Sequence, residues 1–165
     1  MNSEIFEKTI VTARFVLEPI NSSHAERLFE SLQNEKLYKF IPTDPPKSIE
    51  LLIAKYDKWA KRASPDAKEI WLNYAIFDKK RNKYVGTIQA TLIENSSNYI
   101  AYEVFPEFWK QNIATEVLII FIEFLFSTFN ILEITAHIDT RNIASIQLIK
   151  KLNFNLVQLI ENADY

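Results

Sequence analysis

The residues best placed to do chemistry lie where two apolar segments meet. Residues 99–105 are mostly β-branched and aromatic, and they read as a strand stopped by Pro106. Residues 113–129 read as a buried helix, charged only at Glu116 and Glu123. Between them sits a polar knuckle, Trp109-Lys110-Gln111-Asn112. A strand, a tight polar loop and a helix start together build an anion site, because the first turn of a helix offers unpaired N–H groups and a partial positive charge. The same outline is plain scaffolding in many α/β proteins, so the loop by itself leaves its ligand open.

Composition narrows the class. A chain of 165 residues suits one domain, and 48% hydrophobic with 24% charged residues is the make-up of a folded globule. A net charge of −2 gives no basic field for nucleic acid or an anionic membrane surface, and it tolerates cationic, amine-bearing substrates. With no cysteine there is no disulfide framework, thiolate metal site or cysteine nucleophile. No metal is expected, and a cytoplasmic location fits. Residues 1–7 lack the basic start and apolar core of a signal peptide. The apolar run 117–122 ends at Glu123, far short of the roughly 20 residues that span a bilayer.

The elements that must position the knuckle follow in order. Residues 12–19 alternate as a first strand closed by Pro19, and Asn21-Ser22-Ser23 starts a helix whose period runs through Ala25, Leu28, Phe29 and Leu32. His24, in that first turn, reads as an exposed helix-start histidine. A proline-rich irregular stretch, 37–46, leads to a helix opened by Ser48 and ended by residues 62–66. Residues 70–77 and 84–93 read as an antiparallel pair, and the basic residues Lys79, Lys80, Arg81 and Lys83 at their turn as a solvated tip. Gly86, the one glycine, suggests a bulge or a close backbone approach. Residues 131–138 read as a strand, 142–152 as a helix and 156–160 as a last strand. The order β-α-α-β-β-β-α-β-α-β predicts a single domain over 1–165, a mixed α/β (α+β) sheet with helices on both faces.

Two motifs, residues 98–129 and Asn142-Ile143-Ala144-Ser145 through Lys151-Leu152-Asn153-Phe154, resemble the acetyl-CoA-binding core of the GNAT acetyltransferases. Thr12-Ala13-Arg14-Phe15-Val16-Leu17, Tyr84-Val85-Gly86-Thr87-Ile88, Tyr102-Glu103-Val104 and Ala114-Thr115-Glu116 extend the likeness to the branch of the RimJ/RimL ribosomal-protein N-terminal acetyltransferases. The resemblance implies a mostly antiparallel GNAT sheet whose fourth and fifth strands splay apart. It implies transfer of acetyl from acetyl-CoA to a primary amine, with a protein N-terminus preferred over polyamine, amino-acid or antibiotic amines. A CoA-binding or regulatory protein of the same fold, without turnover, is the second reading.

What the resemblance implies for the site can be placed residue by residue. Val104 and Phe105 would offer backbone groups to the pantetheine arm. Lys110, Gln111, Asn112, Ile113, Ala114 and Thr115 would cradle the pyrophosphate. Asn142 would hold the pantetheine end, and Ser145 would sit near the thiol as a proton donor. Glu103 and His137 are the candidate general bases, since an α-amine of pKa about 7.7–8.0 needs only a carboxylate or histidine to take its proton. The plain alternatives are an outward strand charge for Glu103 and a packing histidine for His137. Ile149 stands where other branches carry a tyrosine acid.

The chain departs from the pattern at three places. Trp109 replaces Arg or Gln, and Asn112 and Asn153 replace glycine. Asn is the non-glycine residue most at ease in the left-handed conformation a helix C-terminus needs, so Asn153 can still cap, whereas at Asn112 a side chain would crowd the phosphates or hydrogen-bond to them. The family's last strand is missing, so an exposed 156–160 edge invites pairing and a homodimer is one expectation.

Overall fold

The computed structural model describes residues 3–94, 96–161 and 163. Five strands, β1 (Ile10–Val11), β2 (Phe15–Pro19), β3 (Glu69–Asp78), β4 (Lys83–Ile93) and β5 (Tyr99–Val104), form one antiparallel sheet in that order. Helices α1 (Ala25–Phe29) and α2 (Ile49–Trp59) cover one face of it. Helix α3 (Ile113–Thr128) covers the other, and α4 (Ile143–Lys151) follows it in the chain.

Alternation along the strands sorts the residues between two cores. Leu72, Tyr74, Ile76, Val85, Ile88 and Ile100 pack with Val117, Leu118, Phe121 and Leu125 of α3. Ala75, Tyr84 and Phe105 turn the other way and meet Ala25, Leu28, Leu52 and Tyr56. Each fully buried large side chain contributes roughly 1.5–3 kcal/mol. Helix α2 begins where Ser48 Oγ accepts from the Leu51 amide. Helix α4 ends at Asn153 with φ 63°, where the Asn153 and Phe154 amides donate to the Lys150 and Ile149 carbonyls. That pairing satisfies the last carbonyls of the helix without glycine.

Several expectations are corrected. The first strand is broken at residues 12–14, because the Thr12 hydroxyl accepts from the Phe15 amide and turns the chain there. Residues 131–138 form no strand. Thr135 bridges to Tyr99 in parallel, and the ladder stops there because β5 diverges. Residues 156–160 form no strand either: with no neighbouring edge to pair with, Leu156, Val157, Leu159 and Ile160 lie exposed.

His24 is buried, not exposed: its Nδ1 accepts from the Asn21 amide at 3.3 Å and its Nε2 lies 3.3 Å from Glu18. At the basic hairpin tip, Lys79 Nζ donates to the Thr12 carbonyl at 2.9 Å and Arg81 pairs with buried Asp78. Two of the basic side chains there are structural anchors. Among the described residues no helix is long and apolar enough to cross a membrane.

Gly86 sits where the β3–β4 register slips, so that Ile76 faces Gly86 while Phe77 faces Tyr84. A Cβ on it would fall 2.2 Å from the Glu103 carbonyl oxygen. Backbone cannot yield as a side-chain tip can. Gly86→Ala should therefore cost at least about 2 kcal/mol, seen as a lower denaturant midpoint with an unchanged slope. A loss below about 0.5 kcal/mol would show that β5 need not approach β4 so closely.

Candidate active site

Strand β5 is bonded along one edge and nearly bare along the other. Toward β4 it pairs from Tyr99 to Val104, and the Phe105 amide continues to the Val85 carbonyl at 2.9 Å. On the far side the Ile100 amide donates to Thr135 at 2.9 Å, and Thr135 donates to Asn98 at 2.7 Å. Backbone groups alternate along an antiparallel strand, so Tyr102 and Val104 direct theirs to the open side. The Val104 carbonyl is already taken by the indole N–H of Trp109, at 2.6 Å. What remains at the open edge among the described residues is the Ile100 carbonyl, the Tyr102 backbone and the Val104 amide. Phe105, expected at this edge, has its amide bonded inward and its ring wholly buried.

The start of α3 lies beyond the end of that edge. Asn112 precedes the helix with φ 58° and makes no side-chain cap, and Lys110 has φ 60°. Both residues take the left-handed conformation, so the loop turns twice without glycine. Among the described residues the Ile113, Ala114 and Thr115 amides have no partner, and they lie at the positive end of the helix dipole. Two arginines hold the loop between these turns. Arg14 Nη1 donates to the Gln111 carbonyl at 3.2 Å, and Arg81 Nη2 to Gln111 Oε1 at 2.7 Å.

Glu116 completes the fixture. It accepts from the Thr12 hydroxyl, the Arg14 amide and Arg14 Nε. Burial alone would raise its carboxyl, but those donors and the Arg14 charge hold it below the usual carboxylate range.

The two faces of β5 carry different chemistry. On the α3 face, Tyr102 Oη lies 2.6 Å from Ser145 Oγ in α4. The Ser145 amide donates to Asn142 Oδ1 at 3.2 Å, which caps α4 and leaves the Asn142 NH2 group for another partner. On the α2 face, Glu103 accepts from the Thr87 hydroxyl at 3.0 Å. Burial raises the Glu103 carboxyl, opposed by Thr87 and by the charge of Lys55. Tyr38, whose hydroxyl donates to the Leu32 carbonyl at 2.8 Å, is pushed up to about 12 by burial and by the Glu103 charge. Tyr56 is raised by the same two causes, and desolvation lowers the Lys55 ammonium.

Farther along this face, exposed His137 stands edge-on to Tyr99 with ring centroids 5.1 Å apart. With Gln89, Thr91 and Ala101 they line a recess of about 170 Å³. His137 and Glu103 therefore flank Ala101 from opposite ends, since Tyr99 and Glu103 are about 13 Å apart along the strand. Ser145 lies across the strand from both.

Sequence reasoning missed Tyr38, Lys55 and Tyr56 around Glu103, the Tyr102–Ser145 contact, the left-handed Lys110 and the two arginine anchors. The alternation of Thr87, Gln89 and Thr91 against Ile88, Ala90 and Leu92 could have exposed the polar face of β4. Nothing local marks Arg81 or Lys55.

A strand open along one edge beside an unpaired helix start has the outline of an acyltransferase that takes its acyl group from a coenzyme thioester. The chain belongs to the GNAT acetyltransferase family, whose domain description matches residues 14–155, and it is an acetyl-CoA-dependent N-acetyltransferase.

It is 26% identical over 145 residues to the uncharacterized N-acetyltransferase YoaA of Bacillus subtilis strain 168, covering 87% of this chain and 80% of YoaA. Among solved structures, the RimL ribosomal L7/L12 α-N-protein acetyltransferase in complex with coenzyme A aligns with a TM-score of 0.81 at 21% identity, over 96% of this chain and 90% of that one. A GNAT-family acetyltransferase from Bacillus anthracis aligns with a TM-score of 0.78 at 16% identity, over 94% of this chain and 89% of that one.

Two outcomes test the loop. A side chain in the left-handed region costs on the order of 1 kcal/mol, so Asn112→Gly should raise Tm by about 2–4 °C; an unchanged or lower Tm would mean that Asn112 is unstrained. Glu116 has a depressed folded-state value. Its stabilisation is complete above the ordinary 4.5 and fades as pH falls through the folded value. Glu116→Gln should weaken the fold at pH 7 by roughly 1 kcal/mol, discounted for its partial exposure, with the difference closing in acid. A gap of constant size from pH 7 to pH 3 would remove the ion pair from this account.

Proposed function

We propose that the protein acetylates the N-terminal α-amine of a protein or peptide. The observation that carries this reading is the division of β5: an open backbone edge and Ser145 on one side, and the raised carboxyl of Glu103 on the other. The unpaired amides of Ile113, Ala114 and Thr115 suit the pyrophosphate of acetyl-CoA, and the bare Tyr102 and Val104 groups with the Asn142 amide suit its pantetheine arm. When bound, acetyl-CoA supplies an acetyl thioester.

The remaining work belongs to the chain. Glu103 receives the proton of the incoming ammonium, so that the amine arrives neutral. Desolvation of the carboxylate improves its match to an amine that titrates near 7.7–8.0. Tyr38 and Tyr56 stay neutral and keep the carboxylate out of bulk water. Ser145 offers its hydroxyl to the departing sulfur. The exposed Gln89 and half-buried Thr91 beside Ala101 give an extended chain hydrogen-bonding partners behind its reacting amine, which favours a peptide over a compact amine. The RimL structures, described as ribosomal-protein acetyltransferases, support the same class of acceptor.

The test is calorimetric titration with acetyl-CoA, followed by turnover on peptides with free and blocked N-termini. Micromolar binding, and turnover only with free N-termini, is expected. In the wild type, kcat/KM should rise with pH as Glu103 ionises, above the ordinary 4.5, and again as the amine loses its proton. Glu103→Gln should erase the first limb and lower kcat by about 10²–10⁴-fold. Retention of that limb would move the base elsewhere, with His137→Gln the next variant, and equal turnover of small polyamines would overturn the peptide assignment.

A further inference from the structure

We propose that Tyr102 is a positioning residue, which orients Ser145 so that the serine's own hydroxyl hydrogen is presented to the sulfur of the coenzyme. The inference rests on the cosubstrate reading above. It starts from the 2.6 Å contact between Tyr102 Oη and Ser145 Oγ, which joins β5 to α4. One of the two hydroxyls must donate. A phenol is a far stronger acid than an aliphatic alcohol, which favours Tyr102 as the donor and Ser145 as the acceptor. Ser145 then has one hydrogen that cannot point back along this bond.

That hydrogen has no other acceptor among the described residues. A serine within a helix commonly donates to a carbonyl of the preceding turn, as Ser127 does to Phe124 at 3.2 Å in α3. Ser145 makes no such bond among the described residues, where its hydroxyl meets Tyr102 alone and its amide donates to Asn142. Burial raises the Tyr102 phenol, so it remains a donor across the working range of the enzyme. The tyrosine ring packs against the main core, which fixes the direction from which the donor comes. The chain thus places an oriented O–H at the open side of the strand, in the absence of a tyrosine at position 149.

The experiment compares CoA with desulfo-CoA by calorimetry at pH 10, where an alkyl thiol, titrating about a unit above the cysteine reference of about 8.5, is mostly thiolate. The wild type should bind CoA about tenfold more tightly, the scale of one hydrogen bond to a charged group. The ratio should fall to about one in Ser145→Ala and below about threefold in Tyr102→Phe, and the double variant should match Ser145→Ala alone. In turnover, Tyr102→Phe should lower kcat with KM for acetyl-CoA within about twofold. A ratio that survives Tyr102→Phe, or survives Ser145→Ala, which leaves β5 untouched, overturns this proposal while the cosubstrate reading stands. Failure of the wild type to bind either ligand overturns both.

Discussion

The structure depends on one asymmetry of hydrogen bonding: β5 is fully laddered to β4, while on its other edge the described residues bond it only through Ile100 and Asn98 to Thr135 and through Val104 to the Trp109 indole. An exposed strand edge is normally a liability, because unpaired N–H and C=O groups recruit whatever strand comes near. Here the edge is short and partly occupied, since the Trp109 indole takes the Val104 carbonyl. The bonded edge must in turn be secure enough to hold β5 in place while its neighbour diverges. Gly86 permits that, because any side chain there would meet the Glu103 carbonyl. The bulge, the single glycine and the splay are parts of one arrangement.

The two-residue period of a strand then divides the chemistry. Consecutive residues face opposite ways, so Tyr102 and Glu103 cannot serve the same compartment. Tyr102 reaches α4 and Ser145, and Glu103 reaches Thr87 beneath α2. A general base and a group that receives a departing thiolate have opposed requirements. The first works best with a raised carboxyl in a desolvated place, the second with an oriented donor near a helix N-terminus. On the roles proposed for Glu103 and Ser145, a strand between them would keep the two apart without a second domain.

Much of this was legible in the chain itself. Alternation and helical period located β3, β4, β5, α2, α3 and α4 to within a residue or two, and the left-handed Asn153 followed from its place after a helix, whereas the left-handed Asn112 was not foreseen. What was not legible is long-range. Residues 131–138 carry a strand-like pattern because they pack Ile134 and Ala136 into the core, yet pairing needs a neighbour that stays parallel, and β5 does not. His24 looked exposed because its burial is made by Glu18 and Tyr84, which sequence spacing does not bring near it. The Thr12-x-Arg14 start and Glu116 are separate motifs in sequence and one hydrogen-bonded cluster in space.

The loop before α3 shows how a nearly glycine-free chain meets a demand usually met by glycine. Six described residues other than glycine have positive φ, among them Lys110 and Asn112 on either side of Gln111. Each such conformation costs on the order of 1–3 kcal/mol and persists only where its surroundings over-determine it. Gln111 is over-determined: one arginine holds its carbonyl and another its side chain, and both arginines are themselves anchored, Arg14 by Glu116 and Arg81 by Asp78. Asp78 is almost fully buried and also accepts the Lys80 and Arg81 amides, so the hairpin tip is rigid before it touches the loop. The basic residues of that tip therefore act through geometry more than through charge: they fix the loop that leads into a helix start whose Ile113, Ala114 and Thr115 amides have no partner among the described residues.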